Sequence, residues 1–435
     1  MDLHGDRTYS VLQSKVEIPS QLMVAQDPSR LFSFIATQIK DFLGLYHEEY
    51  LSHRGTNVKE PLSLGFTFSF PAYQTSIRSG ILLRWTKGFD IPGAVGEDMC
   101  RLLQKEIDVI QLPVQITALV NDAAGTIMSR AYTLPLSQKR TSIGVIFGTG
   151  TNCVYLEKLA NISKPLDGDY DKSTGKMFIS IEWGSFNNHL SVLPNTPYDE
   201  ELNAASVNPG NQMFEKRVSG MFLGELLRIV LLQRYNDPKV RLFAGYDDTS
   251  SASIDGTSPL LTRWSVDSSI LSTAERDGFE NLVLLKEDIA ARLGVPSALI
   301  RTEDAEAVKM IACSIGQRAA RLAGMAIGAV VLQIWSSKIP NDLSNNRIPS
   351  TEDGAAPTAP LRPNGDAPIP EKDVVDIGVD GSVIEHYPGF ESRMREVLRS
   401  IDGIGIEGER RIRIGIAKDG SSVGAAIIAL LASQS

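Results

Sequence analysis

An α/β fold in two lobes, with a cleft between them, is what this sequence predicts. Its 435 residues exceed what one hydrophobic core usually serves, so two lobes are expected. Short apolar runs stop abruptly at polar or glycine-rich turns, as strands do when they deliver side chains to a site. Longer stretches with apolar residues three and four apart lie between those runs, and strands interleaved with helices build sheets covered by helices. Polar strand ends recurring in both halves place a binding crevice where the lobes meet.

The strand candidates begin with Leu64-Gly-Phe-Thr-Phe-Ser-Phe70, which alternates and sets Leu64, Phe66, Phe68 and Phe70 on one face. Residues 114–120 run apolar and stop at Asn121-Asp122, with Gly125 and a helical stretch behind. Residues 142–147 enter the turn Gly148-Thr-Gly-Thr-Asn152, and 374–379 end at Asp380-Gly-Ser382. Residues 411–416 reach Lys418-Asp-Gly-Ser-Ser422 before a small-residue helix from Val423. One helix is expected over 214–232, through Phe214, Val218, Leu223, Leu226, Leu227 and Val230, and a second over 305–333. Residues 336–372 hold seven prolines among Ser, Asn, Asp and Gly, too little apolar surface to offset their ordering entropy, so they read as a disordered insertion. Surface loops accept such length cheaply; a partner-docking or phosphorylation loop is the alternative.

Hydrophobic residues at 43% and charged residues at 22% give a globular balance, and a net charge of −9 argues against a nucleic-acid groove or an anionic-membrane patch. Cys100, Cys153 and Cys313 are odd in number and far apart, which suggests neither a disulfide framework nor zinc spacing and favours a reducing compartment, the cytoplasm. The first residues hold no apolar stretch, so no secretory signal is expected. The longest apolar run, 322–335, is too short to span a bilayer, and its Ala and Gly content fits a tightly packed interior helix. No membrane span is expected.

Polar strand ends invite three kinds of site residue: groups that converge on a polar substrate, a carboxylate that takes a hydroxyl proton, and amides or cations around an anion. Asp122 is the best base candidate, since it ends an apolar strand and Asn121 beside it can hydrogen-bond a hydroxyl. The same pair is what a helix cap looks like, and caps are commoner than bases. Thr86-Lys87 reads either as part of a site or as an ordinary solvated lysine. Gly148-Thr-Gly-Thr151 has the form of a phosphate-binding turn, because small residues let amides approach an anion. Asp380-Gly-Ser382 and residues 418–422 carry the same signal, weak in each case alone. The number of independent strand ends that carry such residues favours the functional reading.

Taken in order, the motifs resemble those of the hexokinase family, its fungal hexokinase and glucokinase members in particular. The residues that carry the resemblance are Ser69-Phe-Pro71 with Gln74, Trp85-Thr-Lys-Gly-Phe-Asp90, Leu119-Val-Asn-Asp-Ala-Ala-Gly-Thr126 and Ile146-Phe-Gly-Thr-Gly-Thr-Asn152. Glu182-Trp-Gly-Ser-Phe186, Asn208-Pro-Gly-Asn-Gln-Met-Phe-Glu-Lys216, Gly220-Met-Phe-Leu-Gly-Glu225 and Gly378-Val-Asp-Gly-Ser-Val383 follow. The resemblance implies a two-lobed actin-like ATPase, ribonuclease H-like sugar kinase fold, with a small lobe over 1–120 plus 423–435 and a large lobe over 121–422. It implies ATP-dependent phosphorylation of a hexose (glucose, mannose or fructose) at the 6-hydroxyl, feeding glycolysis. The implied hexose contacts are Ser69, Phe70, Thr86, Lys87, Asn121, Asp122, Asn152, Glu182, Gln212 and Glu215. Asp122 would be the general base, and Lys87 would meet both the sugar and the transferred phosphate. The implied ATP side is Gly148, Thr149, Gly150, Thr151, Gly220, Ser268, Ser272, Gly381, Ser382, Gly420 and Ser421, with Mg2+ arriving with the nucleotide and no protein-only metal site.

The pattern departs from the family in three places. Hexokinases carry, near the start of the catalytic core, a strand and hairpin reading Asp-Leu-Gly-Gly-Thr-Asn-Leu-Arg that cradles the nucleotide phosphates. Asp2-Leu-His-Gly-Asp6 echoes it without the paired glycines, and residues 8–15 resemble the strand that follows it. The small lobe is therefore expected to lack its first strand and to leave neighbouring backbone groups unpaired. Ala123 stands in place of a threonine, and Asn195 in place of an arginine. Two functions are carried forward: an ATP-dependent hexokinase, and a catalytically impaired hexokinase-like regulator or sugar sensor. The second would allow a protein partner at 336–372 and association with an organelle surface or the nucleus.

Overall fold

The computed structural model describes residues 1–54, 61–138, 140–166, 170, 172–245, 253–336 and 369–434. Two hydrophobic cores form, a smaller one from residues between 31 and 119 and a larger one from residues between 143 and 412. In the smaller lobe β1 (Asp2–Leu3) and β2 (Tyr9–Ser10) make an antiparallel pair. The helices α1 (Ser20–Met23) and α2 (Ser29–Arg54) follow. Next, β3 (Leu62–Thr67) leads into a hairpin of β4 (Ala72–Ser76) and β5 (Ser79–Leu82). Asp98 then caps α3 (Met99–Val109) by accepting from the amides of Cys100 and Arg101, and β6 (Val114–Val120) returns to pair in parallel with β3. Phe32, Leu82, Ile91, Met99, Leu103 and Ile107 are fully buried here.

Of the strand expected over residues 8–15, only Tyr9 and Ser10 pair. Among the described residues β3 has β6 on one side and no strand on the other. A strand needs a neighbouring ladder, and without one Val11, Leu12 and Val16 stay exposed.

The larger lobe begins with α4 (Asp122–Thr133), then the antiparallel meander of β7 (Ile143–Phe147), β8 (Thr151–Lys158) and β9 (Lys176–Ser180). A helical region follows: α5 (Pro197–Ala205), α6 (Glu215–Val218), α7 (Gly220–Asn236), α8 (Ser269–Arg276), α9 (Val283–Leu293) and α10 (Thr302–Ser336). The strands β10 (Val375–Asp380) and β11 (Ile412–Ile416) then join β7 in parallel, with α11 (Ser382–His386), α12 (Phe390–Ser400) and α13 (Gly405–Glu409) between them. The sheet order β11-β10-β7-β8-β9, a meander extended by two parallel strands, is that of the expected ribonuclease H-like fold. Fully buried Asp376 on β10 ties three elements together: it accepts from Arg130 Nε of α4 at 2.8 Å, Arg413 Nε of β11 at 2.6 Å and the Thr141 hydroxyl at 2.8 Å.

The single helix expected over 214–232 is two. Ser219 adopts extended backbone (φ −95°, ψ 148°), and the Gly220 N–H donates to Gly148 O at 2.8 Å instead of continuing the helical ladder. The helix expected over 305–333 runs the full length of α10, long and apolar enough by composition alone to cross a membrane. It packs instead against α6, α7, α8 and α12, where its small residues are needed: a Cβ on Gly324 would lie 2.8 Å from the Met394 carbonyl oxygen. The insertion expected over 336–372 lies, from 337 to 368, outside the described residues; Glu371–Asp373 forms one 3-10 turn.

The chain closes with α14 (Gly420–Gln434), which lies on β3 and β6 of the smaller lobe and crosses α4. The contacts are backbone to backbone. A Cβ on Gly65 of β3 would stand 2.3 Å from Ala425 O, one on Gly424 1.9 Å from Gly125 O, and one on Gly144 of β7 2.1 Å from Ala123 O. Glycine is required at each because nothing larger than hydrogen fits. Replacing Gly424 by Ala should cost about 1–3 kcal/mol through overpacking, read as a lower denaturant midpoint at unchanged slope. Gly256→Ala, where an added Cβ meets nothing within 4 Å, should stay within about 0.5 kcal/mol.

Candidate active site

Ends of strands and helices from both lobes converge beside this crossing. Asn121 ends β6 and caps α4, accepting the Ala123 N–H at 3.0 Å. The helix-cap reading of Asn121-Asp122 holds, and Asp122 is the first residue of α4 beside that cap. It is 8% exposed; its Oδ1 accepts the same Ala123 N–H at 2.8 Å, while Oδ2 has no hydrogen-bond donor among the described residues. Ala123 is fully buried against Ile127 and Val154.

The Phe68 N–H donates to Val120 O at 3.1 Å, which brings Ser69 and Phe70 beside the end of β6. Phe70 packs among Phe68, Trp85 and Phe89, with ring centroids 4.9, 4.8 and 5.1 Å away, and the Trp85 indole donates to Ile91 O at 2.8 Å. That cluster fixes the loop bearing buried Thr86 and half-buried Lys87. Lys87 has left-handed backbone (φ 55°), and its ammonium donates to Ser69 O at 2.7 Å and lies 5.4 Å from the centre of the Phe70 ring. It also reaches the larger lobe. A Cβ on Gly150 would meet Lys87 Cε at 2.5 Å and Glu215 Oε2 at 2.7 Å.

Across the cleft, Asn152 on β8 donates to Glu182 Oε1 at 2.8 Å and accepts the Glu182 N–H at 3.1 Å. The Ser180 hydroxyl donates to the same Glu182 oxygen at 2.7 Å. Glu215 opens α6, is 2% exposed, and accepts the Thr151 N–H at 2.9 Å. Gln212, also left-handed (φ 55°), donates to Glu215 Oε1 at 3.4 Å and accepts from the Ser185 hydroxyl. Burial pushes the Glu215 carboxyl above the usual carboxylate range, with Glu182 adding to the shift; Lys87, the Thr151 N–H and Gln212 pull it back. Ser180 and Ser185 escaped the sequence reading. Serines near a motif are too common to signal that they orient its carboxylate and amide.

The expected nucleotide side gathers around the β7–β8 turn. The Gly148 N–H closes the turn on Gly150 O at 3.0 Å, and Thr149 stands exposed at its tip. Thr151 is committed to the scaffold: its hydroxyl donates to Ile146 O and accepts from the Trp183 indole, both at 2.9 Å. A Cβ on Gly381 (φ 120°) would meet Gly148 N at 2.6 Å, and one on Gly220 would meet Ser268 Oγ at 3.4 Å. Thus Gly148, Gly220, Ser268 and Gly381 border one turn; Ser382 opens α11, and Ser272 lies one turn along α8. Gly420 and Ser421 open α14, where the Ser421 N–H donates to Asp380 Oδ2 at 3.2 Å. Burial raises the Asp380 carboxyl above its usual range. Asn195 pairs with Arg217 Nη2 and Glu200, each at about 2.8–2.9 Å, and so takes part in packing α6. Among the described residues no three His, Cys, Asp or Glu side chains gather to hold a metal.

Fold and site together define a two-lobed sugar kinase architecture. Hexokinase family models match residues 1–132 and 142–431, and the chain belongs to the hexokinase family. It is 45% identical over 445 residues to a glucokinase of Aspergillus niger, covering 100% of this chain and 83% of that one. Identity is 37% both to glucokinase-1 and to hexokinase-1 of Saccharomyces cerevisiae, over 99% of this chain and 81% and 77% of theirs. The structure of a Schistosoma mansoni hexokinase complexed with glucose aligns at a TM-score of 0.71 and 29% identity, covering 96% of this chain and 78% of that one.

A carboxyl group whose pKa is raised in the folded state penalises folding above that pKa, and the penalty is relieved as pH falls below it. Glu215→Gln should therefore hold or raise the melting temperature near neutral pH. It should also weaken hexose binding about 10- to 100-fold by calorimetry, the worth of a charged hydrogen-bond acceptor.

Proposed function

We propose that the chain transfers the terminal phosphoryl group of ATP to the 6-hydroxyl of glucose, and of mannose and fructose as related hexoses. The observation that carries this is the Asp122 carboxylate, held by its own helix through one oxygen with the other left to accept a proton. Asn152, Glu182, Gln212 and Glu215 from the larger lobe, with Ser69, Phe70, Thr86 and Asn121, bind the sugar; ionised carboxylates suit hydroxyls because each oxygen accepts a hydrogen bond. Asp122 takes the 6-hydroxyl proton as that oxygen attacks phosphorus, and the Lys87 cation stabilises charge on the transferred group. The turn at 148–151 with Gly220, Ser268, Ser272, Gly381, Ser382, Gly420 and Ser421 receives the nucleotide. Bound Mg2+ would neutralise phosphate charge; Asp380 and the small residues around it suit a metal that keeps its waters and arrives on the phosphates. A cytoplasmic location, with the product entering glycolysis, goes with this reading.

The regulator reading, with its partner at 336–372, is not favoured: the relatives named above are glucokinases and hexokinases. A coupled assay of the purified chain with glucose, ATP and Mg2+ tests the choice. Turnover is expected, and Asp122→Asn should lower kcat about 10²–10⁴-fold while the glucose Kd stays within about threefold. Glucose binding by the wild-type chain with no turnover would reverse the preference.

A further inference from the structure

Next to Glu215 on α6 lies Lys216, only 1% exposed. Its ammonium donates to Asn203 Oδ1 and to Asn208 O, both at 2.8 Å. Asn203 Oδ1 also accepts the Gly210 N–H at 2.9 Å. Between these contacts the chain makes the turn 208–212, in which Gly210 (φ 79°) and Gln212 (φ 55°) are both left-handed. For Gln212 that backbone is costly, so its surroundings must hold it. The Lys216 main-chain N–H donates to Gln212 O at 2.9 Å. One residue thus fixes the turn bearing Gln212 to the helix bearing Glu215, by side chain and by main chain.

We propose that Lys216 is a positioning residue of the hexose site: its buried ammonium clamps the turn 208–212 and sets Gln212 against Glu215 without touching the sugar. The proposal rests on the hexose-binding reading above. Burial, with Arg217 adding to it, lowers this ammonium to about 8, and Glu215 opposes the shift. The charged groups on the surrounding elements are engaged elsewhere. Asp199 of α5 pairs with Arg318 of α10, Glu225 with Arg228 on α7, and Glu182 with Asn152 and Ser180. While protonated, the lysine makes charge-assisted bonds roughly twice as strong as neutral ones. As pH rises through about 8 these become neutral bonds, and a positive charge beside Glu215 is lost. Sugar affinity falls; kcat at saturating sugar does not follow, because Asp122 lies outside the clamp.

The test is calorimetric titration of the full chain with glucose across about pH 6.5–9.5, with kcat and KM measured in parallel. For the wild type the Kd should rise about tenfold around pH 8 while kcat stays within about threefold. Lys216→Met should bind about tenfold more weakly at neutral pH and lose the inflection. Asn203→Asp keeps both acceptor contacts and adds a negative partner, so it should move the inflection up by about one pH unit or more, a test that holds whether or not Lys216→Met folds. Wild-type affinity in Lys216→Met, or an unmoved inflection in Asn203→Asp, overturns the proposal. Absence of glucose binding by the wild type at every pH would instead overturn the hexose reading.

Discussion

The crossing of α4 and α14 is the contact on which the rest of the structure depends. From β3 through α14 and α4 to β7, each step is a glycine backbone pressed on a neighbour: Gly65 on Ala425, Gly424 on Gly125, Gly144 on Ala123. Stacked at glycines and small side chains, the two helices bring both sheets close enough for their strand ends to share one cleft. The same stack sets both of its helix starts. Asp122 opens α4, and Gly420 and Ser421 open α14, so the proposed base and the proposed nucleotide turn are placed by one packing event. Small interfacial residues also limit what a mutation can leave intact, because no rotamer change relieves a clash with backbone.

Charge burial supplies the second constraint. Around the sugar side Glu215, Lys216 and Arg217 are consecutive and all nearly inaccessible. Isolated, each would be costly to bury; together each has partners, with Glu215 facing Lys87 and the Thr151 amide, Lys216 facing Asn203 and Asn208, and Arg217 bonded to Pro194 O, Met213 O and Asn195. The distribution separates tasks: the carboxylate faces the cleft, and the two cations face loops that shape its walls. Asp376 performs the equivalent structural task at the far end of the sheet, where Arg130 and Arg413 join α4 and β11 to β10.

Much of this was legible in the sequence because the information was local. The strand β6 runs over Val114–Val120 as its apolar run predicts, and β7, β10 and β11 start within a residue of expectation, since each ends where a polar or glycine-rich turn begins. The motifs of the cleft were legible through resemblance, and the structure brings Lys87, Gly150 and Glu215 into contact from separate parts of the chain. Three features were not legible. Apolar periodicity continues across Ser219, and only the distant Gly148 carbonyl breaks the helix there. Residues 11–15 resemble part of a family strand but have no ladder to join among the described residues. Ser180 and Ser185 matter through what they orient, which spacing does not encode.

The two halves of the cleft differ in how they are built, and that difference explains their unequal visibility. The proposed sugar side is made of side chains: Asn152 is bonded to Glu182, and Gln212 to Glu215. The proposed nucleotide side is made of missing side chains. Gly148, Gly220 and Gly381 let three chain segments approach within contact distance of one turn, and Thr151, polar by sequence, spends its hydroxyl on the scaffold. A motif of functional side chains announces its chemistry, whereas a glycine announces only that something comes close. What comes close at Gly150 is a cation from one lobe and a carboxylate from the other. A third kind of residue, the buried Lys216, then holds in place the turn that completes the sugar side.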